Sequence, residues 1–207
     1  MYFLIVIIIG YLFGCIHGSQ IVGKYKQINI KKSGMKNAGA TNATLLLGFR
    51  YGLIVAFIDV FKAIISLLII TSLLNKFEVV YDLQIFYLYI NALFVIIGHN
   101  FPLTMNFNGG KGTASLFGVL LYIDWRFAVM GLFILLIFAF VTNYFVTGTL
   151  MLYISFAMYT AFIFGRAPSL VAILFIVLFF IKHTENFKRI MNKEEVKVSS
   201  LIRREVS

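Results

Sequence analysis

An all-α, polytopic membrane protein of about seven transmembrane helices, some of them short, is what this sequence predicts, with the N-terminus outside and the C-terminus in the cytoplasm. Three observations carry that expectation. Hydrophobic residues make up 61% of the 207 residues and charged ones 13%, with a mean hydropathy of +0.94; that balance excludes a soluble globule. The apolar residues run in stretches comparable to the hydrocarbon core, which takes about 20 residues of helix to cross. The cations gather between those stretches, in Lys24 to Arg50 and Lys182 to Arg204, where positive-inside asymmetry places cytoplasmic segments.

One integral domain over residues 1–207 is the expected organisation. The formal net charge of +10 does not indicate nucleic acid, because no basic surface interleaved with stacking aromatics lies outside the apolar runs. The single cysteine, Cys15, excludes an internal disulfide and reads as a small packing residue in a helix wall. The oligomeric state stays open.

Residues 2–22 form the first apolar segment. No Lys or Arg precedes it, which argues against a secretory signal peptide. Phe13 is too bulky for the lipoprotein-type cleavage site that Leu12-Phe13-Gly14-Cys15 faintly suggests. Residues 23–50 then carry Lys24, Lys26, Lys31, Lys32, Lys36 and Arg50 without one acid. The centre of this loop, Ser33 to Asn42, reads SGMKNAGATN and precedes a helical run from Ala43 to Phe49. Thr41 or Asn42 is therefore the expected N-cap. A helix start beside Gly39 and several lysines is a candidate phosphate site. The plainer reading is a capped surface loop whose lysines set topology and meet anionic headgroups.

Gly52 to Leu74 is the next span. Asp59 and Lys62 lie within it on one helical face, and ionisable groups at membrane depth turn inward and pair. A structural ion pair is expected there ahead of a catalytic one. Asn75 to Gln84 is a mixed-charge outer turn, and Ile85 to Ile97 returns to the cytoplasm just before His99.

The following stretch, Gly98 to Ser115, reads GHNFPLTMNFNGGKGTAS, with glycines packed around Lys111. It cannot form an ordinary span. Glycine lets backbone approach a ligand, successive N–H groups make an anion-binding concavity, and a lysine adds a mobile cation. Thr113 to Ile123 is about half a span and is followed by Asp124-Trp125-Arg126; Phe127 to Val141, Tyr144 to Phe164 and Pro168 to Ile181 complete the apolar runs. Counting the short segment separately gives seven helices, and fusing short pieces gives five; either count leaves the termini on opposite sides. Seven is preferred, because Asp124 and Arg126 are costly in mid-bilayer. Beyond Ile181 the chain turns polar, and His183, Asn186 and Ile190 share one face of a helix leaving the membrane.

These expectations put residues 23–50, 98–112 and 182–207 together at the cytoplasmic surface. Cations and backbone amides suit phosphate esters, and a His can orient or deprotonate a hydroxyl. No metal site is expected, since the three histidines are far apart in sequence and no acidic cluster joins them. A nucleotide P-loop fails because Met105 stands at its first glycine and Gly112 at its Ser/Thr. A Ser-His-Asp hydrolase has no nucleophile elbow.

Three segments, GKYKQINIKKSGMKNAGATN, GHNFPLTMNFNGGKGTASLFGVLL and HTENFKRIMNKEE, occur in this order among the spans. Together they resemble the motifs of bacterial membrane-integral glycerol-3-phosphate acyltransferases that use acyl phosphate as donor. The resemblance covers nearly the whole chain. It implies transfer of a fatty acyl group from acyl phosphate to the 1-hydroxyl of glycerol 3-phosphate, giving lysophosphatidic acid and phosphate, without metal, cofactor or acyl-CoA. It also implies a bacterial plasma-membrane location, a cytoplasmic active site, and membrane lipids as surroundings and product. By position, His183, Asn186 and Lys111 correspond to catalytic groups. Phosphate and substrate binding falls to Lys31, Lys36, Asn37, Gly39, Thr41 and Asn42 in the first motif. His99, Gly109, Gly110 and Gly112 serve in the second and Glu195 in the third.

The first motif departs from the family pattern. Gly34-Met35-Lys36-Asn37 stands where the family has Gly-Ser-Gly-Asn, Lys31 replaces an arginine and Asn29 an aspartate. Cys15 and His17 replace Ser and Pro, and Lys193 replaces a Gly. Met35 lacks a hydroxyl donor, and Lys36 brings a side chain where glycine permits φ > 0; its ammonium is expected to compensate as a new phosphate ligand. Two alternatives follow from these departures and from the charge pattern: a degenerate relative that binds phospholipid precursors with weak or no turnover, and a small anion transporter. The second lacks the internal repeat typical of transporters.

Overall fold

The computed structural model describes residues 2–200, all of whose regular structure is helical. Arg203 and Arg204 of the basic tail lie outside the described residues. Six stretches are long and apolar enough to cross a membrane: Tyr2–Tyr25, Phe49–Lys76, Tyr81–Met105, Trp125–Thr142, Phe145–Ile163 and Arg166–Met191. Thr113–Ile123 is a shorter apolar helix, so the half-span expected there is present as a separate element.

The chain forms two compact units, Met1–Ile123 and Asp124–Ser207. In the first, α1 (Tyr2–Gly14) and α2 (Gly18–Tyr25) together form the first span, followed by α3 (Ala40–Leu47), α4 (Phe49–Lys76), α5 (Tyr81–Asn100) and α6 (Thr113–Ile123). α1 lies along α5 at a glycine crossing: a Cβ on Gly98 would sit only 2.9 Å from the Cα of Gly14. At the same crossing the Asn91 amide donates to Val6 O at 2.9 Å and accepts from Ser66 Oγ at 2.9 Å. That chain of bonds joins α4, α5 and α1 where water is scarce and unmet polar groups are expensive.

The first apolar segment was expected as one run over residues 2–22, and the structure breaks it at Cys15–His17. The break has a physical cause inside α4. Where a helix stops, its last carbonyls lose their partners. Here the Lys62 ammonium donates to Gly14 O at 2.9 Å and Ile16 O at 2.5 Å. The Asp59 carboxylate accepts the Gly18 N–H at 3.3 Å, where α2 begins. A cation thus meets the negative end of α1 and an anion the positive end of α2, each in its favourable dipole position. The expected inward-facing ion pair is there, at 3.2 Å and almost fully buried.

Two helix limits also differ from expectation. α5 runs on through His99 and Asn100 rather than ending at Ile97, and α3 is capped by Gly39, not by Thr41 or Asn42, which lie within it. Asn42 is unavailable as a cap because its side chain is bonded elsewhere, as shown below.

The second unit contains α7 (Trp125–Thr142), α8 (Phe145–Ile163) and α9 (Arg166–Met191). Aromatic rings fill it, with Phe156 edge-on to Phe175 at 5.6 Å and Tyr153 tilted against Phe179 at 5.2 Å. Asp124 caps α7, accepting from the Arg126 N–H at 2.8 Å and from the Tyr159 hydroxyl at 2.6 Å. That hydroxyl, with the helix N–H groups, holds the Asp124 carboxyl below its ordinary range. A carboxyl with a lowered folded value stabilises fully above the unfolded value, about 3.9, and loses that contribution as pH falls through its folded one. Asp124→Ala should therefore cost about 1 kcal/mol at neutral pH. Thermal unfolding should show the gap from wild type closing as the buffer is taken below about pH 4.

Candidate active site

The glycine stretch owes its shape to the end of α5. After Asn100 the chain turns at Pro102, and it doubles back so that Gly109 N–H donates to Asn100 O at 3.1 Å and Gly110 N–H to His99 O at 3.0 Å. This lays the loop flat on His99. A Cβ on Gly110 would run into the imidazole, with Cε1 2.9 Å away, and one on Gly109 would strike the His99 carbonyl and the Pro102 ring. Gly112 then takes φ +87, and its carbonyl receives the Leu116 N–H at 2.8 Å as α6 begins.

The sequence suggested an anion cradle of successive glycine amides. The structure changes that picture, since the Gly109 and Gly110 amides are engaged with α5 carbonyls. The loop also carries Lys111, two residues before the first turn of α6 begins at Thr113. Helix-start N–H groups have no intrahelical partners and carry partial positive charge, so a cation there completes an anion site. The Ser115 hydroxyl in that turn is buried and bonds no other group among the described residues. Gly110→Ala tests how much the flat loop matters. The ring cannot swing aside cheaply, so Lys111 should shift, and kcat/KM should fall about 10²-fold, the usual cost of an ångström-scale misplacement.

The first-motif loop is organised around Asn42. Its amide oxygen accepts from the Met35 N–H at 2.8 Å, and its NH₂ reaches Ile30 O at 2.7 Å, Ser33 O at 3.0 Å and Asn37 O at 2.8 Å. Asn42 was expected to contact substrate; its polar atoms are turned to the loop's own backbone. Gly34 has φ +58 and Lys36 φ +52, so Lys36 does occupy the left-handed conformation that favours glycine. Lys36 and Thr41 are exposed, Asn37 and Gly39 half-buried. Lys31 Nζ donates to Gly109 O at 3.4 Å, tying this loop to the glycine loop. Beside it opens a cleft of about 640 Å³ lined by Lys24, Lys31, Lys32, Gln20, Asn29 and Thr104 among others, with no acidic residue in its wall.

His99 was expected to bind phosphate. It is buried, with Nδ1 2.7 Å from Lys62 Nζ, and His17 stacks on it at 4.5 Å between centroids. His17, Asp59 and His99 have the ligand types of a metal site. The Lys62 ammonium already stands among them as the counter-charge, and a second cation would meet its repulsion. Sequence reasoning weighed Asp59 and Lys62 only as a pair; nothing in the local pattern connects them to residues 17 and 99.

In the second unit, His183 and Asn186 are buried on one face of α9. His183 Nδ1 lies 2.9 Å from Phe179 O. A carbonyl only accepts, so Nδ1 carries a hydrogen and a neutral ring keeps its lone pair at Nε2. The ring also stacks on Phe179 at 4.1 Å. Glu195, grouped with the substrate-binding residues from sequence, is turned inward. It accepts from Asn186 Nδ2 at 2.5 Å and from Arg189 Nε at 2.7 Å. A carboxylate so placed would repel phosphate; what it does is hold the Asn186 amide in one orientation.

The glycerol-3-phosphate acyltransferase family profile matches residues 4–193. The chain belongs to that family. It is 52% identical, over the full length of both chains, to glycerol-3-phosphate acyltransferase 1 of Oceanobacillus iheyensis. A second acyltransferase of the family, from a strain of Thermus thermophilus, is 34% identical, with 91% of this chain and 92% of that protein covered. Among solved structures, the fold matches a crystal structure of PlsY (YgiH), an integral membrane glycerol 3-phosphate acyltransferase in its glycerol 3-phosphate form. That match has a TM-score of 0.84 and 27% identity, and covers 97% of this chain and 98% of the other. The lysophosphatidic acid form of the same enzyme matches with a TM-score of 0.82 at 27% identity, covering 95% of each chain. The protein is therefore an integral membrane acyltransferase of this family, and the transporter and degenerate-relative readings are not favoured.

Proposed function

We propose that the protein transfers a fatty acyl group from acyl phosphate to the 1-hydroxyl of glycerol 3-phosphate, within one integral domain of a bacterial plasma membrane and on its cytoplasmic side. The observation that carries this reading is the placement of Lys111 two residues ahead of the α6 N-terminus, an arrangement suited to a phosphate monoester. Residues 23–50 carry six cations and no acid, which favours the cytoplasmic side for the reacting groups.

The reaction needs few groups because acyl phosphate brings its own leaving group. The hydroxyl oxygen bonds to the acyl carbon, the bond from that carbon to the phosphate oxygen breaks, and the hydroxyl proton ends on the phosphate released. Lys111 with the α6 amides holds the phosphate of glycerol 3-phosphate, and Lys31 and Lys36 add positive charge for the two anionic substrates. Taken by itself, the second unit offers His183 Nε2 as an acceptor for a hydroxyl and an Asn186 amide that Glu195 holds in one orientation. Positioning and charge stabilisation are then the main catalytic terms.

The test is turnover by purified protein in detergent. Phosphate release from acyl phosphate should require glycerol 3-phosphate and yield lysophosphatidic acid in equal amount. Release that does not depend on glycerol 3-phosphate, or none at all, would overturn the assignment.

A further inference from the structure

We propose that Lys62, together with Asp59 and His17, is a positioning device that acts through His99 on the glycine loop and so sets where Lys111 stands. None of these three residues belongs to a substrate-binding set, and the inference rests on Lys111 being a phosphate ligand.

The geometry runs in one line. An ammonium has three N–H groups, and the three shortest acceptors around Lys62 Nζ are Ile16 O at 2.5 Å, His99 Nδ1 at 2.7 Å and Gly14 O at 2.9 Å. Asp59, at 3.2 Å from the ammonium and 3.7 Å from His99 Nδ1, supplies the counter-charge. Because Lys62 donates to Nδ1, a neutral His99 ring carries its hydrogen on Nε2, the atom against which Gly110 is laid. His17 covers one face of the same ring at 4.5 Å. The ring is thus fixed by a bond at one nitrogen and a stacked partner, and the loop bearing Lys111 is pressed on it and bonded to the His99 and Asn100 carbonyls.

A burial argument alone does not explain this arrangement. An ion pair within α4 that served only packing would have no need of the His99 imidazole, and buried pairs contribute little net stability over apolar replacements. Here the cation also takes the orphan carbonyls of the α1 break, so that α1, α4, α5 and the glycine loop share one fixed point.

Two roles are separable by experiment. Lys62→Met leaves Asp59 buried without its counter-charge and should lower the unfolding temperature. The double variant Asp59→Asn/Lys62→Met removes both charges and should recover much of that loss. If the device positions the loop, KM for glycerol 3-phosphate stays raised about 10- to 100-fold in the double variant, as when a supporting residue behind a ligand is removed. A purely structural role would change the amount of folded enzyme, and hence apparent kcat, but leave KM at the wild-type value. His17→Leu removes the stacking ring without touching charge and should raise KM in the same direction with its unfolding temperature near wild type. Wild-type KM in both the double variant and His17→Leu would overturn the inference. Lys111→Ala, run alongside, separates the two claims: if it leaves KM unchanged, the phosphate-ligand reading fails; if it raises KM while the other variants do not, only the positioning role fails.

Discussion

Lys111→Ala should lower kcat/KM for glycerol 3-phosphate by about 10²- to 10³-fold, the range seen when one preorganised donor to a developing or bound anion is removed. Most of the loss should appear in KM. The phosphate of glycerol 3-phosphate does not change charge during acyl transfer, so a group bonded to it stabilises ground and transition states alike. The α6 amides remain in the variant, which sets a floor under the loss. Lys111→Arg keeps the charge but spreads it over a planar guanidinium fork. It should recover part of the affinity and serves as the control for folding. Initial rates over a range of glycerol 3-phosphate, at saturating acyl phosphate, decide the matter; a KM within twofold of wild type would remove Lys111 from the site.

The second large effect is expected at His183. His183→Ala should reduce kcat by about 10²- to 10⁴-fold, the usual contribution of a positioned acid–base group. The change should fall on kcat because the hydroxyl proton moves only as the acyl carbon is attacked. The Nδ1 bond to Phe179 O at 2.9 Å and the stacked Phe179 ring hold the imidazole in one tautomer and one plane. His183→Gln retains an amide donor and acceptor but no basic nitrogen. Activity in Gln well above that in Ala would assign His183 to orienting the hydroxyl; equal losses would assign it to taking the proton. Activity in Ala near wild type would place the chemistry elsewhere.

Part of the local geometry was legible from residue type. Glycines around a lysine, and His183 with Asn186 on one helical face, are local patterns, and local geometry follows from them: Gly112 takes a positive φ, and α9 presents both side chains on its buried face. Lys36 was legible too, as a side chain forced into glycine-like backbone. The glycine amides were read less well. Their number suggested a cradle, yet those of Gly109 and Gly110 are claimed by the end of α5, because a helix that runs on to Asn100 leaves carbonyls to be met. Glu195 and Asn42 bond protein groups that the motifs do not reveal. Each is a polar residue in a polar motif, and only its partners show that it faces inward.

By itself, the sequence determined the membrane class, the sites of most spans and the family's three motifs. Hydropathy and side-chain type are sufficient there, since lipid admits no unsatisfied backbone and phosphate requires donors. The tertiary structure alone decided where the first span breaks and what surrounds Asp59 and Lys62. A buried charge is tolerated only where several groups answer it at once. Those groups, at Gly14, Ile16, Gly18 and His99, come from two stretches far apart in the sequence, which no local periodicity links to α4.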